Sequence, residues 1–469
     1  MADAGAELLW APRAWLPGGW AREVLLEARG GRWSAVTPGI ADVPAGATRI
    51  DAALLPGLVD AHSHAFQRAF AGLAEQRASD ADDFWSWRDR MYRVALRIAP
   101  GELRAVAAQL YAELLAGGYT QVCEFHYLHH DRDGRAHADP LEMAWALTDA
   151  AADAGIGLTL LPVLYERAGF AQPALRDDQR RFATDPDWVH RAAQAVAARG
   201  SALLNAGVAV HSLRAAAPAS IHRLRTLAAG LGGPIHVHVA EQTAEVDDCL
   251  AATGRRPIEW LAHERLPDAR WQLVHATHAL PAEVDAVAAS GAGVVICPTT
   301  EANLGDGLPD LPRWLAAGVP LAVGSDSHVT RDWREELRWL DYGQRLLRRQ
   351  RNVAAAPARG EPSTAQRLWS RALAGGAAAA GQAAWGLVPG ARADALVADA
   401  QDPALLGIPP GRWLDAAVFS SPTRPWRDVM VAGRWVRRDG RHARGSAIAA
   451  RFAEAMHALW RDAGGAPAP

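Results

Sequence analysis

Short apolar runs alternate with longer helical patterns through the middle of the chain. Eight of these runs end near a polar residue, and they cover residues 55–64, 120–126, 158–164, 206–211, 234–239, 271–275, 292–298 and 321–326. The later runs recur at about one strand–helix unit each, and this pattern predicts a parallel sheet. Eight units predict a (β/α)8 TIM barrel, with an insertion after the first strand because the first interval is long.

The two ends of the chain have a different pattern. Short strands with Gly-Gly turns at 18–19 and 30–31 precede the first apolar run, and similar short strands follow residue 386. Because chain termini often lie close together, both segments are expected to form one small β-sandwich domain. The predicted division is 1–55 for the N-terminal part of the sandwich, 56–384 for the barrel, and 385–469 for the C-terminal part with a terminal helix over 447–460.

Composition and charge narrow the class of protein. The chain has 469 residues, half of them hydrophobic and 22% charged, with a formal net charge of -3. This charge does not favour a nucleic acid or an anionic membrane as a partner. The first residues, MADAGAELLW, contain neither a basic segment nor a long apolar run, and no apolar stretch approaches the roughly 20 residues of a membrane span. A cytoplasmic enzyme is therefore expected.

Cysteine and lysine usage excludes several chemistries. The three cysteines Cys123, Cys249 and Cys297 are isolated, so we expect buried thiols rather than disulfides or a thiolate metal site. The sequence contains no lysine, and all 49 of its Lys+Arg residues are arginine. A P-loop lysine, a Schiff-base lysine and a carbamylated lysine that bridges two metals are thereby excluded, since arginine replaces none of them.

Histidine pairs end two of the predicted strands. His62 and His64 lie two residues apart in VDAHSHAF, so they point to the same face of strand one and could hold one divalent ion. The same spacing also suits exposed or hydrogen-bonded histidines. In PIHVHVAEQ, His236 and His238 share a face as well, and alternation does not choose between them. We assign a structural role to His236 and a third ligand role to His238.

Three further polar residues follow the strands. Glu241 comes three residues after His238, where a carboxylate that is not a ligand could reach a water on the metal. His275 ends strand six and could polarise a substrate, whereas His278 in the next loop is assigned a structural role. Asp326 in LAVGSDSH would by itself suit a helix N-cap, but together with the histidines it becomes a fourth ligand and a base. Histidine and carboxylate without thiolate suit one zinc or ferrous ion.

This ordered set resembles the amidohydrolase superfamily, in the branch of cytosine, guanine and adenosine-type deaminases. More narrowly, the segments HSHAFQRAFAGLAE, FWSWRDRMY, EFHYLHHD, HSLRA, HVAEQTAEVDDC, LVHATH, TEANLGDG and GSDSHV are similar to the formimidoylglutamate deiminase family of histidine degradation. The resemblance implies one divalent ion, with zinc expected, and a homodimer. It also implies site residues, namely the ligands His62, His64, His238 and Asp326, the catalytic residues Glu241, His275 and Asp326, and the substrate-binding residues Gln67, Arg88, Tyr127, His211 and Arg214.

The implied reaction is hydrolysis of N-formimidoyl-L-glutamate to N-formyl-L-glutamate and ammonia by a metal-bound hydroxide. Asp326 would accept the proton of the water, Glu241 would pass a proton to the departing nitrogen, and His275 would stabilise the intermediate. Release of formamide and glutamate is set aside only by the resemblance. Two alternatives stay open, an aminohydrolase that acts on a purine or pyrimidine ring and a catalytically inactive barrel that serves as a scaffold.

Arginines are the natural partners of a substrate with two carboxylates, because the planar guanidinium binds a carboxylate through two hydrogen bonds. Arg88 and Arg214 lie in segments that contribute loops or strand ends, so they are the candidates. Four other arginines are predicted to be solvated surface charges, namely Arg345, Arg348, Arg349 and Arg351. They lie on a predicted helix whose leucines are expected to face the core, namely Leu337, Leu340, Leu346 and Leu347.

Overall fold

The structure is a computed structural model that describes residues 7–76 and 84–461. In chain order its strands are β1 (Glu7–Leu16), β2 (Gly19–Arg29), β3 (Arg32–Thr37), β4 (Thr48–Arg49), β5 (Ala53–Leu55), β6 (Leu58–Ser63), β7 (Tyr119–His126), β8 (Gly157–Leu164), β9 (Leu204–Ala206), β10 (Val208–Ser212), β11 (Ile235–Val239), β12 (Trp271–His275), β13 (Gly293–Ile296), β14 (Leu321–Val323), β15 (Ala395–Ala398), β16 (Trp426–Val431), β17 (Arg434–Arg438) and β18 (Arg441–His442).

Helices cover most of the segments between the barrel strands. They are α1 (Phe84–Ala95), α2 (Pro100–Ala116), α3 (Glu142–Ala154), α4 (Pro186–Ala198), α5 (Pro218–Ala228), α6 (Thr243–Thr253), α7 (Pro257–His263), α8 (Pro281–Ser290), α9 (Pro298–Leu304), α10 (Leu311–Ala317), α11 (Trp333–Arg348), α12 (Thr364–Ala379), α13 (Trp413–Phe419) and α14 (Gly445–Trp460). Among the described residues, none of the helices has the length and apolar character that crossing a membrane requires.

Eight parallel strands form the predicted barrel. The order is β14-β13-β12-β11-β10-β8-β7-β6, and the short β9 pairs with β8. The first and last strands meet at a parallel bridge between Ser63 and Asp326, where the Asp326 N–H donates to the His62 carbonyl at 2.9 Å. The eight apolar runs of the sequence therefore correspond to the eight barrel strands, and the TIM-barrel prediction is confirmed. α1 and α2 occupy the predicted insertion after the first strand.

The seam between β6 and β14 requires a glycine. A Cβ atom at Gly324 would lie 2.6 Å from the Cβ atom of His62 and 2.9 Å from its backbone nitrogen. Any side chain there would force the two strands apart, since such contacts are shorter than van der Waals distance. The close approach brings the loop after β14 against the end of β6, and both segments carry predicted ligands.

A second sheet combines the two ends of the chain. Its order is β18-β17-β16-β15-β5-β1-β2-β3, and the N-terminal and C-terminal halves meet where β5 pairs antiparallel with β15. The prediction of a small β domain built from both termini is confirmed. The boundaries 55/56 and 384/385 themselves stay a prediction; in the structure β5 ends at Leu55 and β15 begins at Ala395.

The prediction for helix α11 was partly wrong. Leu337 and Leu340 are buried as expected, but Leu346 and Leu347 are 75% and 61% exposed. At about 100° per residue, Leu346 lies on the side of the helix opposite to Leu337. Polar residues of the same helix, Glu336, Asp341 and Gln344, are buried instead.

The three cysteines are free and buried, as predicted.

Candidate active site

Four predicted ligands converge at the carboxyl-terminal end of the barrel strands. The Nε2 atom of His62, on β6, lies 3.1 Å from that of His64 and 2.9 Å from that of His238, on β11. The Oδ1 atom of Asp326 lies 3.5 Å and 3.3 Å from the Nε2 atoms of His62 and His64. All four residues are buried. Side chains separated by up to 264 positions in the sequence therefore share one small volume.

The ring orientations suit a cation at the centre of this cluster. The Nδ1 atoms of His64 and His238 lie 3.0 Å from the carbonyl of Phe125 and 2.9 Å from that of His211. A carbonyl only accepts, so each Nδ1 carries the proton and each Nε2 turns a lone pair toward the cluster. Burial lowers the pKa of both rings, and lowers that of His62 to about 3. Neutral imidazoles whose lone pairs face one another fit a divalent ion.

Asp326 completes the cluster as a carboxylate. Burial works to raise its pKa, but the contacts with His62, His64 and His275 lower the pKa below the usual value for aspartate. An ionised oxygen beside three neutral imidazoles is the donor set of a mononuclear zinc or iron site. His236, which shares the face of His238 in the sequence pattern, instead has its Nε2 atom 2.9 Å from the carbonyl of Ala379 and stays outside the cluster.

His275 and Glu241 lie beside the ligand cluster. The Nε2 atom of His275 is 3.6 Å from Oε1 of Glu241 and 3.9 Å from Oδ2 of Asp326, and His275 is also close enough to His62 and His238 to share an ion with them. Burial raises the pKa of Glu241 to about 7, although His275 opposes the shift. Glu241 can therefore hold or release a proton near neutral pH, as a general acid-base residue must.

Glu301 is a site residue that the sequence reasoning missed. Its Oε1 atom lies 3.3 Å from Nδ1 of His275 and accepts a hydrogen bond from the Cys297 N–H at 3.0 Å. Against the effect of burial, Glu241, Glu301 and Asp326 raise the pKa of His275 to about 10. The carboxylate fixes the orientation of the His275 ring. The motif TEANLGDG was singled out in the sequence, but nothing in it shows which histidine Glu301 faces.

Backbone strain clusters at the same strand ends. Ala240, His275, Ala276, Asp326 and His328 adopt positive φ values of 52°, 68°, 49°, 47° and 65°. Residues other than glycine rarely adopt this left-handed conformation, which costs of order 1–3 kcal/mol each. The ends of β11, β12 and β14 are therefore held in turns that aim Glu241, His275 and Asp326 inward.

A cavity that is open to solvent lies next to the cluster, and all five predicted substrate-binding residues line it. The Gln67 side-chain amide donates to the Tyr127 hydroxyl at 3.2 Å, and His211 lies against Tyr165 with ring centroids 4.4 Å apart. Burial lowers the pKa of Arg88, and the nearby Arg214 lowers it further. Two guanidinium groups thus stand in the same cavity, close enough to repel each other.

The remaining wall of the cavity is mostly aromatic and was not predicted. It includes Phe84, Trp87, Tyr92, Tyr165 and Phe182, together with Met91 and Leu304. The Tyr165 hydroxyl accepts a hydrogen bond from the Gln179 side chain at 3.0 Å, which fixes the ring. The aromatic residues come from α1 and from the segment after β8, and aromatic side chains fill both cores and interfaces. The sequence therefore held no signal that separated them from the core.

The profile described as "Amidohydrolase family" matches residues 53–436, which include the whole barrel and its ligand cluster. The chain belongs to the amidohydrolase family. A formimidoylglutamate deiminase from Pseudomonas aeruginosa is 48% identical to this amidohydrolase over 458 residues, which cover 96% of this chain and 99% of that protein.

Two solved structures of other proteins have an architecture similar to that of this amidohydrolase. An amidohydrolase from Brucella melitensis is 41% identical, with a TM-score of 0.92, and the similarity covers 97% of this chain and 99% of that one. An adenosine deaminase from Xanthomonas campestris with bound zinc is 22% identical, with a TM-score of 0.78 over 97% of this chain and 98% of its own. That second likeness shows the fold alone.

Proposed function

We propose that this amidohydrolase hydrolyses N-formimidoyl-L-glutamate to N-formyl-L-glutamate and ammonia. The observation that carries the proposal is that one cavity is lined both by residues of the cluster that could hold a cation and by two arginines, Arg88 and Arg214. The reaction class follows from the family, and the substrate follows from the charges of the cavity together with the name of the Pseudomonas aeruginosa relative.

The cavity suits a dicarboxylate better than a nucleobase. N-formimidoyl-L-glutamate has two carboxylates and one formimidoyl group, so each guanidinium can bind one carboxylate through two charge-assisted hydrogen bonds. A purine or pyrimidine carries no carboxylate that either guanidinium could bind in this way. Gln67, Tyr127 and His211 line the same cavity as the arginines.

The chain supplies the ligands and the proton-transfer groups for the reaction. His62, His64, His238 and Asp326 would hold the divalent ion, which when bound lowers the pKa of a coordinated water and so supplies the nucleophile. The water oxygen would bond to the formimidoyl carbon and give up two protons as the carbonyl forms. Asp326 would accept one of these protons, and Glu241 would pass both to the departing nitrogen, so that the carbon–nitrogen bond breaks and ammonia leaves. His275 donates a hydrogen bond to the developing oxyanion.

We propose zinc as the ion, since imidazole and carboxylate ligands without thiolate suit it and a structural relative was solved with bound zinc. Ferrous iron suits the same ligands. The homodimer and the cytoplasmic location stay predictions. The inactive scaffold is the weaker alternative, because a scaffold has no need to keep all four ligands together with Glu241 and His275.

An ammonia-release assay tests the proposal. Protein loaded with zinc is expected to release ammonia from N-formimidoyl-L-glutamate, to lose this activity after treatment with a chelator, and to regain it when zinc is added back. Guanine and cytosine serve as comparison substrates and are expected to release none. Turnover of either base, without turnover of the formimidoyl compound, would favour the ring aminohydrolase, and a metal-free inert protein would favour the scaffold.

A further inference from the structure

The loop that carries Arg214 is held from outside the cavity by two consecutive residues, Glu166 and Arg167. This loop, residues 213–217, follows β10, whereas Glu166 and Arg167 follow β8, the neighbouring strand of the barrel. Neither residue lines the cavity of the candidate active site. Their contacts with the loop are therefore not contacts with a substrate.

Arg167 binds the loop through its guanidinium. Its Nη2 atom donates to the Leu213 carbonyl at 2.8 Å, and its Nε atom donates to the Arg214 carbonyl at 3.1 Å. One planar group thus holds the two peptide carbonyls on either side of the Arg214 Cα atom. The guanidinium lies 5.6 Å from the ring centroid of Phe170, which restricts its own orientation.

Glu166 binds the far end of the same loop. Its carboxylate accepts a hydrogen bond from the Ala217 N–H at 2.9 Å and another from the Ser220 hydroxyl at 2.7 Å. The backbone N–H groups of Glu166 and Arg167 both donate to the Ala215 carbonyl, at 2.8 Å and 3.2 Å. Six hydrogen bonds from two residues therefore reach the segment 213–220.

Hydrogen bonds give the loop a definition that its packing does not. Leu213, Ala215 and Ala216 are buried in the hydrophobic core, so apolar packing holds the backbone of the loop in place. Leu213 and Ala216 also border a groove that Arg167 lines. Apolar packing has no preferred direction, whereas the hydrogen bonds from Arg167 fix the direction of the two carbonyls on either side of the Arg214 Cα atom.

We propose that Glu166 and Arg167 are positioning residues that fix the Arg214 guanidinium for one carboxylate of the substrate. The inference rests on the proposed function for the identity of the substrate, but not for the geometry of the loop. A bidentate contact between arginine and carboxylate requires a defined position of both planes, so a displaced guanidinium loses part of this contact and the substrate binds more weakly. Arg167 thereby controls substrate affinity without touching the substrate.

The test compares Arg167→Gln with Arg225→Gln in the zinc-loaded full chain. Arg225, on α5, also donates from Nε to a backbone carbonyl, that of Leu266 at 3.0 Å, but outside the cavity of the candidate active site. Arg167→Gln is expected to raise KM for N-formimidoyl-L-glutamate about tenfold with a change in kcat of about twofold or less, because affinity rather than chemistry is lost. Arg225→Gln is expected to leave KM within about twofold. Arg167→Lys should recover part of the loss.

A double-mutant cycle separates positioning from a general structural effect. In an Arg214→Gln background, Arg167→Gln is expected to raise KM by less than about twofold, since the group that it positions is gone. An equal rise in both backgrounds would overturn the proposal. So would a fall in kcat at unchanged KM, or a rise in KM no larger than that of Arg225→Gln.

Hydrogen exchange distinguishes failure of this inference from failure of the proposed function. Measured by mass spectrometry without substrate, exchange in peptides that contain residues 213–217 should be about tenfold faster in Arg167→Gln than in the unmodified chain. If the unmodified chain turns over no formimidoylglutamate but the loop exchanges faster, the proposed function fails and the positioning stands. Unchanged exchange overturns the positioning, whatever the substrate.

Discussion

The environment of each ring nitrogen and carboxylate decides its role in the site. The Nδ1 atoms of His64 and His238 face backbone carbonyls, which leaves their Nε2 atoms as donors to an ion. His275 has carboxylates on both sides, Glu301 at Nδ1 and Glu241 at Nε2. Histidine is thus neutral within the ligand cluster, whereas His275 beside the cluster favours its protonated form. The two differ because backbone carbonyls face His64 and His238 in the cluster and carboxylates face His275.

The first prediction concerns Glu241. Glu241→Gln is expected to lower kcat by about 10²–10⁴-fold, because glutamine keeps the shape of the side chain but cannot carry a proton between water and the departing nitrogen. Zinc content should stay at the level of the unmodified chain, since Glu241 is not a proposed ligand. Steady-state ammonia release and elemental analysis measure the two quantities. Full turnover in the variant would contradict the proton-transfer role, and Glu259→Gln, on the exposed side of α7, is the control.

At the scale of single elements, the ends of strands place the site and the periodicity of helices places the core. β6 and β11 each present histidines on the inward face because side chains alternate along a strand. Helix α11 shows the limit of this reasoning. Its leucines at four positions were all expected to be buried, yet only those on one face of the helix are.

The second prediction follows from that difference. Leu337→Ala is expected to lower the free energy of unfolding by about 2–5 kcal/mol, because the side chain is fully buried and its removal leaves a cavity. Leu346→Ala, the matched control about two and a half helical turns further along and on the exposed face, should change it by about 0.5 kcal/mol or less. Urea unfolding of the zinc-loaded protein measures both values. An equal loss of unfolding free energy in both variants would mean that the side chain of Leu346 is buried in solution.

At the scale of the whole molecule, closure of the barrel brings the ligands together. The first strand and the last strand are neighbours only when the barrel is closed, and their loops are further joined through Glu113 on α2. Its carboxylate accepts two hydrogen bonds from Arg68, at 2.9 Å and 3.0 Å, and lies 3.0 Å from Nε of Arg331. Arg68 follows His64, and Arg331 follows Asp326, so Glu113 joins the two segments that carry these ligands.

The third prediction is a pH dependence of stability at this junction. Burial works to raise the pKa of Glu113, but Arg68, Gln109 and Arg331 lower it below the usual 4.5. A carboxyl whose pKa is lowered by folding stabilises the folded state above its unfolded pKa, and this stabilisation is lost as the pH falls through the folded value. The difference in unfolding free energy between the unmodified chain and Glu113→Gln should therefore be largest near about pH 7 and shrink below about pH 4.5.

Urea unfolding between about pH 7 and about pH 3.5 measures this difference, with the exposed Glu142→Gln as the control. The control should show a small difference that hardly changes with pH, because surface ion pairs contribute about 0–1 kcal/mol. A difference for Glu113→Gln that grew as the pH fell would contradict the assignment of the lowered pKa.

The candidate ligands and the fold class could be predicted from the sequence because both depend on short-range periodicity. Alternation along a strand puts His62 and His64 on one face, and repeated strand–helix units bring the strand ends to one mouth of a barrel. Glu301, the aromatic wall of the cavity and the contacts of Glu166 and Arg167 with the loop 213–217 could not be predicted in this way. Their roles depend on which residue they meet, and those partners lie 26 to more than 50 positions away.

The sequence alone determined which residue types are available for the chemistry, their order along the barrel, and the absence of lysine that excludes a carbamate-bridged pair of metals. Only the tertiary structure decided which histidine of β11 joins the cluster, which face of α11 is covered, and what surrounds His275. The physical reason is that local periodicity fixes the direction of a side chain relative to its own element, whereas its partner is fixed by packing between elements.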